Sequence, residues 1–184
     1  RDLVRSRGLG DVYKRQSLDR SIAGWRDWSK EFSYDGPWQD AVQRSALALK
    51  LLVYAPTGAI AAAATTSLPE NPAGGKNWDY RFAWVRDLAY TAHALVRFGL
   101  REETHAALSW MVKTIRADGD LRVMYTLRGE PVEGVEFFDA PGWAGIGPVV
   151  TGNPASDQLQ LGVYGDLFAC LLYTSPSPRD RTRS

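Results

Sequence analysis

Asn77-Trp78-Asp79-Tyr80-Arg81-Phe82-Ala83-Trp84-Val85-Arg86-Asp87 is the densest feature of the chain, and a helical pattern starts where it ends. Trp78, Tyr80, Phe82 and Trp84 alternate, so an extended backbone puts all four rings on one side. Aromatic planes suit the C–H faces of a sugar. Carboxylates and guanidinium groups suit its hydroxyls through charge-assisted hydrogen bonds. Arg86 and Asp87 follow at a helix start, where side chains are held firmly. On residue types alone a second reading stands beside this one. The stripe is core, and Arg86-Asp87 is a cap with a salt bridge.

The helical pattern runs from Asp87 to Phe98 through Leu88, Thr91 and Leu95. Asp87 is the expected cap and Gly99 the stop. A second helix is predicted over 102–116. Glu102 and Glu103 lie in its first turn and Lys113 and Arg116 in its last, as the helix dipole favours. Leu108, Met111 and Ile115 mark its apolar face. Upstream, Val42, Ala46, Leu49 and Val53 predict a helix over 38–54, stopped by Pro56-Thr57-Gly58. Before it comes an aromatic-rich approach, Trp25 to Trp38, with a turn at Asp35-Gly36-Pro37. Residues 59–66 are small and apolar and read as a strand or a packed loop. Residues 68–76 carry two Pro and two Gly and read as a loop. Downstream, Leu121, Val123, Tyr125 and Leu127 alternate as a short strand. Residues 132–154 read as a long loop. A further helix begins at Asp157, with Leu161 and Phe168 as its apolar residues. The expectation is an all-α chain with long loops and minor strand content. Loops this long in a compact domain usually carry function.

The two ends read as foreign. Ser6 to Gln16 can be encoded by a DNA word whose reverse complement, shifted by one frame, spells Cys170 to Arg179 and the start of Asp180. The word resembles a sequencing-library adapter. Residues 1–16 and 170–184 are therefore expected to be translated adapter scar rather than native sequence, and are set aside from the fold reading. Residues 17–169 remain as the native part. The whole chain has 22 Lys+Arg and 21 Asp+Glu, a net of +1. The ends hold eight of the basic and three of the acidic residues, which leaves 14 against 18, a net of −4. The apparent basicity thus belongs to the ends, and nucleic-acid binding loses its bulk support. Cys170 leaves too, so the native part has no disulfide or thiolate site, in keeping with a reducing compartment. No apolar run reaches the roughly 18 residues of a membrane span. A cytoplasmic location is the expectation.

Other chemistry-bearing residues read more plainly. His93 and His105 fall within helical stretches without a second ligand at metal spacing, so neither a metal nor a cofactor is expected. Glu70 and Asp79 form a conceivable carboxylate pair for glycoside chemistry, but loop-end and hydrogen-bonding roles read better. Gly74-Gly75 lacks the pattern of a phosphate loop. The serines have no nucleophile-elbow context.

Several stretches in register resemble glycoside hydrolase family 15, the bacterial glucoamylase and trehalase-like enzymes. They are Arg44 to Leu52, Ala55 to Ile60, Thr65 to Glu70 and Gly75 to Arg81. Pro148-Val149, Gly152-Asn153, and Gln158-Leu159-Gln160 through Tyr164-Gly165 continue the series. Nearly all of residues 25–169 take part.

That resemblance implies an (α/α) toroid of paired inner and outer helices, of which this chain holds the first part. It implies hydrolysis of terminal α-linked glucose with inversion, by two glutamates, as glucoamylase, α-glucosidase or trehalase. It implies that Arg86 and Asp87 hold hydroxyls of the terminal glucose, that Trp84 packs beside that ring, and that Tyr80 sits near the reacting centre. Trp78, Asp79 and Asn153 are the expected supports. The partner is a small carbohydrate, maltooligosaccharide or trehalose. The family's general acid lies in a Trp-Glu motif further downstream, and the sequence has no Trp-Glu dipeptide. Acid and base are therefore expected beyond residue 169, and the chain alone is expected to be inactive. The stretch before Gly152-Asn153 departs from the family, which often has Arg where Val150 and Thr151 stand. A non-catalytic toroid that binds sugar or a partner is the competing expectation.

Overall fold

Gly99, at φ 82°, breaks the helical pattern between two apolar stretches, and the two longest ordered stretches of the second half meet there. The computed structural model describes residues 2–174, with side chains over 10–172. It divides into two units, Arg1–Leu47 and Ala48–Ser184.

The first unit holds α1, Asp2–Ser29, and most of α2, Gln39–Leu51. α1 runs across residue 16 without a break, and its described side chains are almost all exposed. Trp25 and Trp28 meet edge to face at 6.1 Å. The turn expected at Asp35-Gly36-Pro37 lies at Gly36–Trp38, and the Tyr34 hydroxyl donates to the Pro37 carbonyl at 3.1 Å. α2 is shorter than its predicted span of 38–54. Val53 and Tyr54 leave it to pair as β1, Val53–Tyr54, with β2, Ala59–Ile60. The Pro56-Thr57-Gly58 signal is the turn of this hairpin rather than the end of the helix.

In the second unit, α3 spans Val85–Arg97 and buries Val85, Leu88, Ala89, Ala92 and Leu95 along one face. That spacing is the amphipathic period, so this face seeks a core. α4, Arg101–Asp118, follows after three residues and packs on α3 with β2 between them. α4 ends at Gly119, φ 80°, in the left-handed cap geometry that glycine takes without steric cost. α5, Gly162–Thr174, packs on α3 as well and runs across residue 169. Its buried residues are Val163, Leu167 and Cys170, while Leu161 and Phe168 are exposed. The helix starts at Gly162 rather than at the expected Asp157, which ends a 3₁₀ turn, and its apolar face is not the one through Leu161 and Phe168.

Three antiparallel two-stranded sheets pin the loops. β3, Ala83–Trp84, pairs with β4, Met124–Tyr125, and all four residues are buried. β5, Val135–Phe138, pairs with β6, Val149–Gly152. The reading of 132–154 as a plain loop is corrected here: its two ends form a ribbon. The five α-helices and short strands among the described residues make a mainly helical chain with minor strand content.

Candidate functional site

β3 is only two residues long, but it sets the site. Pairing with β4 and a bond from Val85 N to Val123 O at 3.0 Å hold Trp84 extended just before α3 begins. Trp84 is thus the N-cap residue, with no side-chain cap bond. Asp87 was the expected cap. It lies instead within the first turn, where its charge faces the positive end of the helix.

Arg86 and Asp87 are both partly exposed, at 46% and 40% of their side chains. Arg86 Nη1 donates to Gln160 Oε1 at 3.0 Å, and Gln160 in turn donates to Gln158 at 2.9 Å. The Gln158-Leu159-Gln160 segment is thereby brought onto the first turn of α3. Arg86 Nη2 stands 3.8 Å from Asp87 Oδ2. That oxygen is out of reach of solvent and accepts no hydrogen bond from any described residue. A buried carboxylate oxygen without a donor is costly, and the natural remedy is a donor from elsewhere.

Tyr80 borders the same place. Its hydroxyl donates to Glu70 Oε1 at 2.5 Å. That bond, then burial, then the charges of Glu70 and Asp87 push the phenol up to about 12. The phenol therefore stays protonated across ordinary pH, with its proton committed to Glu70. What it has left for a ligand is its oxygen lone pairs. Tyr80 also packs on Trp84 at 5.8 Å, and Phe82 on Trp84 at 6.4 Å. Trp84 is only 5% exposed and joins Val123, Met124 and Val132 in a small core cluster. For Trp84 and Phe82, the core reading of the aromatic stripe describes where the rings lie. Tyr80 is the ring of the cluster that bonds outward.

The supports expected from the sequence lie beneath. Asp79 is fully buried. Burial alone would raise its pKa. Bonds from the Arg81 side chain and from the Arg81 and Gly152 backbone N–H groups outweigh burial and hold it below the ordinary 3.8. Asn153 donates to the Asp79 carbonyl at 3.0 Å and caps the 3₁₀ turn Pro154–Asp157 through its Oδ1. Asn77, also buried, donates to the Ser67 and Ile146 carbonyls. Ser67 both accepts from Val150 N and donates to Val150 O. Thr151, where the family often has Arg, bonds Asp79 and Arg81. These contacts fix the 66–81 loop to β6. Trp78 is half-buried. Glu70 and Asp79, weighed together as a carboxylate pair, have separate roles: one holds Tyr80, the other Arg81. Gln160 was not singled out as a site residue. The only sequence signal for it is the Gln158-Leu159-Gln160 stretch.

His93 lies on α3 and His105 on α4. Among the described residues no group of three His, Cys, Asp or Glu stands together as metal ligands. No helix there is long and apolar enough to cross a membrane.

The pinned aromatic stripe thus ends in a partly exposed Arg-Asp pair, residue types suited to the faces and hydroxyls of a carbohydrate. Residues 36–178 match the family model described as glycosyl hydrolases family 15, and the chain belongs to that family. It is 43% identical to a trehalase of Thermoplasma volcanium over 84% of this chain and 25% of that protein. It is 41% identical to a trehalase of Thermoplasma acidophilum, over 84% and 26%. A trehalase of Mycobacterium tuberculosis is 40% identical, over 78% and 22%. The chain spans about a quarter of the length of the curated relatives it matches. No solved structure matches it.

Proposed function

We propose that this chain is the glucose-gripping part of an inverting glycosidase with an (α/α) toroid, and that the parent enzyme acts on trehalose. The observation that carries the site is the partly exposed Arg86–Asp87 ion pair beside Tyr80, in which Asp87 Oδ2 accepts no hydrogen bond from a described residue. A terminal glucose hydroxyl donates to the exposed part of the Asp87 carboxylate. Arg86, kept in place by Gln160, donates to a neighbouring hydroxyl oxygen. Trp84 packs beside the ring through the small edge it leaves exposed. Tyr80 accepts a hydrogen bond near the reacting carbon.

The proton transfers belong to two glutamates beyond residue 169. One protonates the glycosidic oxygen as the bond to C1 breaks. The other takes a proton from the water that attacks C1 from the opposite face, which calls for about 6.5–9.5 Å between the two carboxyls. The choice of trehalose over maltooligosaccharides rests on the three relatives named as trehalases. Residues 1–16 and 170–184 remain adapter-derived in this reading.

The test is a substrate panel on the complete parent. Release of glucose from trehalose, with little from maltose or maltotriose, is the expected result. Preference for maltooligosaccharides rejects trehalose as substrate. Sugar binding without cleavage of any of them rejects the enzyme and favours a binding protein.

A further inference from the structure

A cavity of about 600 Å³ opens beside α4 between the β1–β2 turn and the turn at Arg128-Gly129. It shares no residue with Tyr80, Arg86 or Asp87. Lys113, Arg128 and His105 stand around it, and among the described residues no carboxylate lines it. None of the three bases forms an ion pair with a described residue. Lys113 and Arg128, gathered without counter-charges, leave an electrostatic cost that a bound anion removes.

The wall of the cavity adds hydrogen-bonding groups. Trp110, 6% exposed, stands in it. Ser109 and Thr114 also line the cavity, and their hydroxyls bond no described residue. Gly129, at φ 91°, brings the Arg128 turn so close that a Cβ there would meet Thr114 Oγ1 at 2.7 Å. The volume falls within the roughly 300–1,000 Å³ of small-molecule sites.

We propose that this cavity binds a small phosphorylated sugar. Lys113 and Arg128 take the phosphate, for which cationic donors are suited, with His105 as a further N–H donor. Ser109 and Thr114 face the sugar hydroxyls. One ligand thus answers both the unpaired cations and the unbonded hydroxyls.

The test is calorimetric titration of the chain with glucose 6-phosphate, glucose and inorganic phosphate in turn. Glucose 6-phosphate is expected to bind saturably and more tightly than inorganic phosphate, with no measurable binding of glucose. Lys113→Gln and Arg128→Gln, both at exposed positions, should each weaken binding about ten-fold, the value of one charge-assisted bond. Circular dichroism melts check that both variants stay folded. Thr114→Val should narrow the gap between glucose 6-phosphate and inorganic phosphate. Absence of saturable binding, or binding unchanged in both cation variants, overturns the proposal. Equal affinity for inorganic phosphate and glucose 6-phosphate also overturns it, because the hydroxyl contacts would then do nothing.

Discussion

Asp79 is wholly buried yet stays charged, because Arg81 and two backbone N–H groups hold its oxygens. Its folded pKa lies below 3.8, so its contribution to stability is complete well above 3.8 and fades as pH falls below 3.8 and through the lower folded value. Asp79→Ala should cost about 3 kcal/mol at neutral pH, the low end for a broken buried pair because Arg81 is half exposed. The gap between the two melting curves should narrow between about pH 5 and pH 3. Equal destabilisation at both pH values would count against the ion pair. Asp87 is the opposite case, a carboxylate with an oxygen left open. In the complete parent, Asp87→Ala should lower kcat/KM by about 2–4 kcal/mol, the size of a contact preorganised for the transition state. A folded mutant with unchanged kcat/KM would reject the glucose-hydroxyl assignment. Stability should fall by no more than about 1 kcal/mol, the size of a half-exposed ion pair and a first-turn carboxylate. Residue types in the sequence suggested a sugar site here. They could not show which carboxylate was satisfied, because the partners Gly152 and Thr151 are more than 70 positions away from Asp79.

At the scale of elements, the helices were legible and the ribbons were not. α3 announces itself because five buried residues repeat at helical spacing. Its start was misplaced because Trp84 is held by β4, some 40 residues downstream, and no local pattern shows that pairing. Residues 132–154 read as loop for the same reason. The β5–β6 ribbon joins Val135 to Gly152 across a stretch rich in Gly and Pro. α5 was found, but the period through Leu161 and Phe168 points away from the core that Val163, Leu167 and Cys170 enter. The ribbon also supports the site, since Gly152 N donates to Asp79. Gly152 has φ 85°, and a Cβ there would lie 2.2 Å from the Gly134 carbonyl oxygen. Gly152→Ala must therefore strain its own backbone and push β5 away. A loss of about 3 kcal/mol is expected, the sum of a left-handed non-glycine and a backbone clash. A thermal melt within a degree of the parent chain would show that the ribbon yields there freely.

At the scale of the whole molecule, the family was legible because many short stretches recur in register, and the family match covers residues 36–178. The expected toroid rests on the family resemblance and not on periodicity, because a ring closes only through contacts between distant helices. The same reasoning bears on activity. In the proposed site Tyr80, Arg86 and Asp87 grip, but nothing among them transfers a proton to a leaving group: the phenol proton is committed to Glu70, and Asp87 is assigned to a hydroxyl. Glu70 is spent on that bond, and Asp79 is buried against Arg81. Inverting hydrolysis needs an acid and a base on opposite faces of the sugar, and each contributes a factor of about 10²–10⁴. On the proposed reading both lie beyond residue 169, and binding alone leaves the glycosidic bond intact. The purified chain should therefore release no glucose from trehalose or maltose above a no-protein control, in an enzyme-coupled assay run over days. Mixing it with a separately produced downstream segment that carries the Trp-Glu motif should restore measurable release, provided the two parts associate. Turnover by the chain alone, abolished by Asp87→Ala, would mean that the acid and base lie within these 184 residues after all.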